Sequence, residues 1–334
     1  MKRIAIIGGG SWGTGLGIIA GHAEHQVRLW SRNADVVESI NLRHENEIYL
    51  ATHQIPESVV ATRELTEALH GAELVILASP SHATRELLSR MLPDLTRAMI
   101  FVSASKGIEN ETGKRISQIV AEEIGSRFAP RFVCLSGPSF AREVAAGHPT
   151  AIVAASLSEK DSSVVQRELS FANLRIYRSP DVVGTEIGGS VKNVMAIAAG
   201  MVVGLGFGSN SVAALITRGL AEVARFATNQ GARMETLMGL AGLGDLVLTC
   251  TGSLSRNRFV GQELGKGRTL DAILAEMREV AEGVRTTRAV KQLSERLGIE
   301  MPVTNEVNNV LYEGKSPADA ARELMARPLR GEFG

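Results

Sequence analysis

Eight lysines stand among twenty-eight arginines in this 334-residue chain, so a lysine inside an apolar run is a candidate for chemistry. Lys192 is such a residue, in Gly188-Gly189-Ser190-Val191-Lys192-Asn193-Val194-Met195-Ala196-Ile197, where small neighbours let a ligand or another backbone approach. A lysine partly removed from water and near other cations has a lowered pKa, which suits proton exchange near neutral pH. The alternative is a lysine snorkelling from a helix end. All the histidines, His22, His25, His44, His53, His70, His82 and His148, lie in the first half of the chain. A histidine proton donor in the second half is thereby excluded, and metal sites built on histidine clusters lose support. No metal is expected.

Lys106, in Ser103-Ala104-Ser105-Lys106-Gly107-Ile108-Glu109, follows an expected strand, and such strand ends are where α/β sheets hold ligands. A surface loop would explain it equally. Gly137-Pro138-Ser139-Phe140-Ala141 also follows a strand and offers amides and a hydroxyl to an anion or cofactor, or is only a turn. In Ala241–Thr251 an otherwise apolar stretch carries Asp245 and hydroxyls, Thr249 among them. Asp245 could pair with Lys192, accept a substrate hydroxyl, or cap a helix. Gly252-Ser253-Leu254-Ser255-Arg256-Asn257-Arg258 is a hydroxyl-rich, cationic helix start, the chemistry of a phosphate site, with a solvated turn as the plainer reading.

Near the N-terminus, Gly8-Gly9-Gly10-Ser11-Trp12-Gly13-Thr14-Gly15 contains G-x-G-x-x-G at Gly8, Gly10 and Gly13. Between a strand and an apolar helix these glycines permit a tight turn and let the backbone approach a dinucleotide pyrophosphate. After the second strand comes Ser31-Arg32-Asn33, with no carboxylate to grip a ribose diol. The permanent charge and planar fork of Arg32 suit a 2′-phosphate instead, so NADP, or dual use of NADP and NAD, is favoured over strict NAD dependence. A surface arginine closing a strand is the alternative.

These residues must be held by elements. Apolar runs at Ile4–Ile7, Val27–Trp30, Leu74–Ala78, Ile100–Ser103, Phe132–Leu135 and Ala151–Ala154 read as strands, with helix-length stretches such as Ser11–His22 and His82–Met91 between them. Alternation of this kind predicts βαβ units and a mainly parallel sheet. Beyond Val182 the period turns helical at Val191–Val203, Ala213–Gln230, Leu270–Glu276, Val284–Leu297 and Val303–Glu313. The expected fold is α/β: a Rossmann-type dinucleotide-binding domain over 1–185 followed by an all-α substrate and catalytic domain over 186–334. Formal net charge is zero, which removes the positive field used by nucleic-acid binders. The short apolar N-terminus is read as a strand rather than a signal peptide, and Val194–Phe207, too short to span a bilayer, as a buried helix. Two distant cysteines, Cys134 and Cys250, fit a reduced cytoplasm.

Over nearly the whole chain these motifs resemble the bacterial-type NAD(P)-dependent glycerol-3-phosphate dehydrogenase family. The glycine turn is generic. Ser105-Lys106-Gly107-Ile108-Glu109, Ser136-Gly137-Pro138-Ser139-Phe140-Ala141, Val191-Lys192-Asn193, and Gly242-Leu243-Gly244-Asp245-Leu246 through Ser255-Arg256-Asn257 are, in this order, specific. The resemblance implies reversible reduction of dihydroxyacetone phosphate to sn-glycerol 3-phosphate, supplying glycerophospholipid synthesis, in a cytoplasmic homodimer. It implies Lys192 as the acid/base, with Lys106, Gly137, Ser139, Asn193, Asp245, Thr249, Ser255, Arg256 and Asn257 around the substrate. Gly8, Gly10, Ser11, Trp12, Gly13, Arg32, Asn33, Lys106, Ala141, Arg256, Val280 and Glu282 are the expected cofactor contacts. Gly15 departs from the alanine common in such turns. Other lysine-dependent β-hydroxyacid dehydrogenases resemble G-x-x-x-K-x-x-x-N; here Gly188 and Lys192 fit, but position 196 is Ala196 and the asparagine is Asn193. A dinucleotide sensor without turnover would leave the lysine, the aspartate and the Arg-Asn motif without a task.

Overall fold

In the computed structural model the described residues are 1–329 and 331–332; positions 330, 333 and 334 of the expected helical domain lie outside them. The strands are β1 (Arg3–Ile7), β2 (Gln26–Trp30), β3 (Val59–Thr62), β4 (Leu74–Leu77), β5 (Ile100–Ser103), β6 (Arg131–Ser136), β7 (Thr150–Ala155) and β8 (Leu174–Ser179). They form one sheet in the order β3-β2-β1-β4-β5-β6-β7-β8. β1 to β6 are parallel, β7 runs antiparallel to β6, and β8 parallel to β7.

Six of the eight strands coincide with the apolar runs. The two that the sequence did not announce, β3 and β8, are the edges of the sheet. β8 alternates buried and exposed residues as Leu174, Arg175, Ile176 and Tyr177, so it lacks the continuous apolar signature of a strand covered on both faces. β3 is four residues long with Val60 turned outward.

The strand order through β6 is that of the doubly wound dinucleotide fold, and its direction reverses between β1 and β4. Apolar clusters fill both faces: Ile6, Leu29 and Val102 on one, Ile7, Leu77 and Phe101 on the other. A third core, around Val194, Ile197, Phe226 and Val260, belongs to the helices after β8.

Those helices are arranged around Val182–Gly204, which Asp181 caps by accepting from the Gly184 amide at 2.8 Å. The 185/186 division falls within the first turns of this helix. By length and composition it could cross a membrane, being longer than the apolar stretch read from sequence, yet 83% of its most apolar window is buried inside the protein, as in a core helix. Helix Arg256–Gly265 lies against it at backbone contact: a Cβ at Gly261 would sit 1.9 Å from the Ile197 carbonyl oxygen, and one at Gly200 2.1 Å from that of Arg258. Glycine on both surfaces is what permits this approach.

Candidate active site

Three chain segments meet where β6 ends. The helix Val182–Gly204 can reach this point because its glycines leave space: a Cβ at Gly188 would lie 2.6 Å from the Ala241 carbonyl oxygen, and one at Gly189 2.5 Å from Ser136 Oγ. One turn further on, Lys192 projects its amine to Thr249 Oγ1 at 2.7 Å and donates a short hydrogen bond to Asp245 Oδ1. Asp245 begins helix Asp245–Thr251, after a π-helical turn at Leu240–Gly244. Its carboxylate does not cap that helix; its second oxygen accepts from Lys106 Nζ at 2.7 Å. Lys106, from the loop after β5, also donates to the Gly137 carbonyl at 3.1 Å. One carboxylate therefore bridges two lysines, one from the sheet and one from the helices. Lys192 is 7% and Asp245 1% exposed.

Burial is the largest influence on Lys192 and pushes its pKa down to about 8; Asp245 pulls it up and Lys106 pushes it down further. The amine can thus hold or release a proton near neutral pH. Gly137 adopts φ +141°, and a Cβ there would meet Ile152 at 2.9 Å, so the turn after β6 requires glycine. Ser139 Oγ donates to the Gly137 carbonyl at 3.1 Å.

Ser255 caps helix Arg256–Gly265, accepting from the Arg258 amide at 3.2 Å. Arg256, beside it, is half exposed and meets the Glu279 carboxylate at 3.3 Å. Asn257 turns inward: its amide donates to Asn193 Oδ1 at 3.0 Å and its oxygen accepts from the Gly283 amide at 2.9 Å. These two asparagines hold three helices in register.

At the other end of the cleft, Gly8 has φ +132°, and its missing Cβ would lie 2.7 Å from the backbone of Ala78 and Ser79 after β4. Helix Ser11–His22 starts at Gly10 with no side-chain cap, and a Cβ on Gly10 would meet nothing within 4 Å. The Gly13 Cβ position is 1.9 Å from the Gly8 carbonyl oxygen, so this glycine also is required by a close approach. Gly15 is not: an alanine there would make ordinary contact with Ala141 at 3.5 Å. The Trp12 Nε1 proton is buried without a partner, and so is Ser79 Oγ. An open helix N-terminus beside a bare glycine turn fits a dinucleotide diphosphate, and the two orphaned polar atoms stand beside it.

Arg32 is exposed at the end of β2, whereas the Asn33 side chain caps the next helix by accepting from the Asp35 amide at 2.9 Å. Glu282 clamps the loop after β4, accepting from the Ser81 amide at 3.0 Å and hydroxyl at 2.6 Å, and Val280 is exposed just before it. Sequence reasoning missed Asn46, which is fully buried and donates to the Gly9 carbonyl at 2.9 Å and Thr14 Oγ1 at 2.8 Å, bracing the glycine turn. It also missed Ser81 and Glu279. A lone polar residue between helix and turn gives no local signal of such contacts. Among the described residues no group of His, Cys, Asp or Glu could hold a metal ion.

A doubly wound sheet with its glycine turn at the switch point, joined to helices that bring a buried lysine and carboxylate to the cleft, defines a nicotinamide-dinucleotide-dependent dehydrogenase. Residues 3–162 match the N-terminal and 181–322 the C-terminal family of NAD-dependent glycerol-3-phosphate dehydrogenase. The chain belongs to that family: it is an NAD(P)-dependent oxidoreductase. It is 54% identical over 334 residues, 99% of each chain, to glycerol-3-phosphate dehydrogenase (NAD(P)+) of Koribacter versatilis. It is 49% identical over 331 residues to that of Myxococcus xanthus, covering 99% of both. The crystal structure of glycerol-3-phosphate dehydrogenase from Coxiella burnetii superposes with a TM-score of 0.94 at 39% identity, covering 98% of this chain and 99% of that one.

Proposed function

We propose that the chain interconverts dihydroxyacetone phosphate and sn-glycerol 3-phosphate, with Lys192 as the proton donor and acceptor. The observation that carries this reading is the buried Lys192–Asp245–Lys106 bridge, with Thr249 as a further partner of Lys192, at the seam between sheet and helices. The glycine turn, with Gly8, Gly10, Ser11 and Gly13, would hold the nicotinamide cofactor, which would supply the hydride for the reduction and take it up in the oxidation. Lys192 hydrogen-bonds the carbonyl oxygen as negative charge grows there and passes it a proton, completing the alcohol. In the reverse direction the neutral amine takes the hydroxyl proton. Asp245 and Thr249 fix the amine in position, and Lys106 with the Gly137–Ser139 turn lines the opposite wall. The start of helix Arg256–Gly265, capped by Ser255, offers Arg256 to the substrate phosphate.

Arg32, exposed after β2, favours NADPH while leaving NADH usable. Residues 1–185 act as the cofactor domain and 186–334 as the substrate and catalytic domain. The protein works as a cytoplasmic homodimer feeding glycerophospholipid synthesis; the family resemblance supports this, and so do two cysteines that stay unpaired.

Oxidation of NADPH and of NADH, followed with dihydroxyacetone phosphate, unphosphorylated dihydroxyacetone and a panel of sugar acids, tests the activity. Turnover confined to the phosphorylated ketone is expected; turnover of a sugar acid instead would refute the substrate. Lys192→Ala should still bind cofactor while kcat falls by about 10²–10⁴. Near wild-type kcat in that folded variant would move proton transfer away from Lys192.

A further inference from the structure

At the start of helix Ser11–His22 a carboxylate of the protein itself meets the Ser11 hydroxyl. Glu279 lies between helices Leu270–Glu276 and Glu282–Leu297, in a stretch with no regular structure of its own. Its carboxylate accepts a short hydrogen bond from Ser11 Oγ, on the first residue of the open helix, and its other oxygen pairs with Arg256 at 3.3 Å. Ser11 and Arg256 are 245 positions apart in sequence and both contact this carboxylate. No acidic residue of the helix itself neutralises its first turn, and Gly10 provides no side-chain cap. A free helix N-terminus, a hydroxyl and a guanidinium make an anion site.

The hold on Glu279 is one that can be released. Ser11 has a single hydroxyl proton, and the Tyr49 carbonyl, 2.7 Å away, competes for it. Arg256 is half exposed, so water can replace the carboxylate at its guanidinium. Three residues on, Glu282 is fixed to Ser81 by two hydrogen bonds, which tethers the segment near the cleft whether or not Glu279 stays seated.

We propose that Glu279 is a built-in stand-in for the cofactor diphosphate: its carboxylate occupies the anion seat of the cofactor-free protein, and the dinucleotide must displace it to bind. A carboxylate and a diphosphate cannot share that seat, because like charges at contact distance repel. Glu279 therefore weakens cofactor binding, and its departure leaves Arg256 free for a phosphate. This rests on the dinucleotide occupying the glycine turn, which titration of the wild type checks separately.

The test is calorimetric titration of the full chain and of Glu279→Gln and Glu279→Ala with NADPH, NADH, ADP and adenosine. The glutamine keeps the shape and removes the charge; the alanine removes both. Both variants should bind NADPH, NADH and ADP more tightly by about three- to thirtyfold, the range for losing a competing charged contact, whereas adenosine, which lacks the diphosphate, should bind unchanged. Equal or weaker binding of the three diphosphates would overturn the proposal, since Glu279 would then be idle or would itself hold the cofactor. Tightening of adenosine by the same factor would overturn it too, because the effect would not lie at the diphosphate. A wild type that bound none of the diphosphates would remove the dinucleotide reading and this proposal with it.

Discussion

The acid/base role proposed for Lys192 rests on surroundings that pull its pKa both ways, burial most strongly. Burial and Lys106 favour the neutral amine, Asp245 the charged one, and the outcome is a pKa of about 8. Reduction needs the protonated amine, so its kcat should be highest below about pH 8 and fall above it, while the oxidation rate rises through the same range. Asp245→Asn removes the influence that raises this pKa, so both limbs should move to lower pH. Lys106→Met removes one that lowers it, so they should move to higher pH. Rate profiles in both directions for the three proteins decide the matter; limbs that stay in place in both variants would show that the titrating group is not Lys192.

At the scale of elements, the start of helix Arg256–Gly265, proposed above to meet the substrate phosphate, is positioned by a helix contact that only glycine allows. The Gly261 Cβ position lies 1.9 Å from the Ile197 carbonyl oxygen and 2.9 Å from the Met201 amide nitrogen, both backbone atoms that cannot rotate away. Gly261→Ala should therefore push the helix outward and destabilise the fold by about 1–3 kcal/mol. Ser255, Arg256 and Asn257 ride on the same helix, so KM for the phosphorylated substrate should rise in step. Thermal denaturation and steady-state kinetics on the purified variant read both effects. Gly267, at φ +90° in a solvent-facing turn with nothing near its Cβ position, lacks this backbone clash and marks the contrast.

Across the whole molecule, the sheet and the helices are joined by ion pairs as well as by apolar contact. Glu186, buried in the helix Val182–Gly204, accepts from Arg115 Nη1 at 2.6 Å and from the amide and hydroxyl of Ser117 at 2.7 and 2.6 Å, at the start of helix Ile116–Gly125. Its carboxylate lies at an N-terminus, where the helix dipole favours it. Arg115 Nε is already buried without a partner, so Glu186→Ala would leave the Arg115 charge without its carboxylate, with only the Ser117 hydroxyl on Nη1, and the Ser117 amide unsatisfied at the seam. A loss of about 3–5 kcal/mol is expected, the usual consequence of removing one member of a buried pair. Urea unfolding measures it; a loss below about 1 kcal/mol would mean that water enters the seam and solvates Arg115.

The sequence alone determined what short-range pattern encodes. Apolar runs marked the six inner strands, because a strand covered on both faces is mostly apolar, although β2 carries an exposed Arg28. The glycines at 8, 10 and 13 marked the turn; at Gly8 and Gly13 backbone approaching backbone excludes a Cβ, whereas the Gly10 Cβ position is open. A lysine in an apolar, glycine-rich run marked itself. Tertiary structure decided the partners. Asp245 could have capped its helix; folding instead delivered Lys192 from 53 positions away and Lys106 from 139. Glu279 reached Ser11 across 268 positions, and Asn46 reached the glycine turn across 37. The edge strands β3 and β8 were decided in the same way, by the neighbour that each pairs with. Local composition fixes which backbone conformations and which degrees of burial a segment tolerates, whereas a hydrogen bond between distant residues depends on where the packed elements bring their ends.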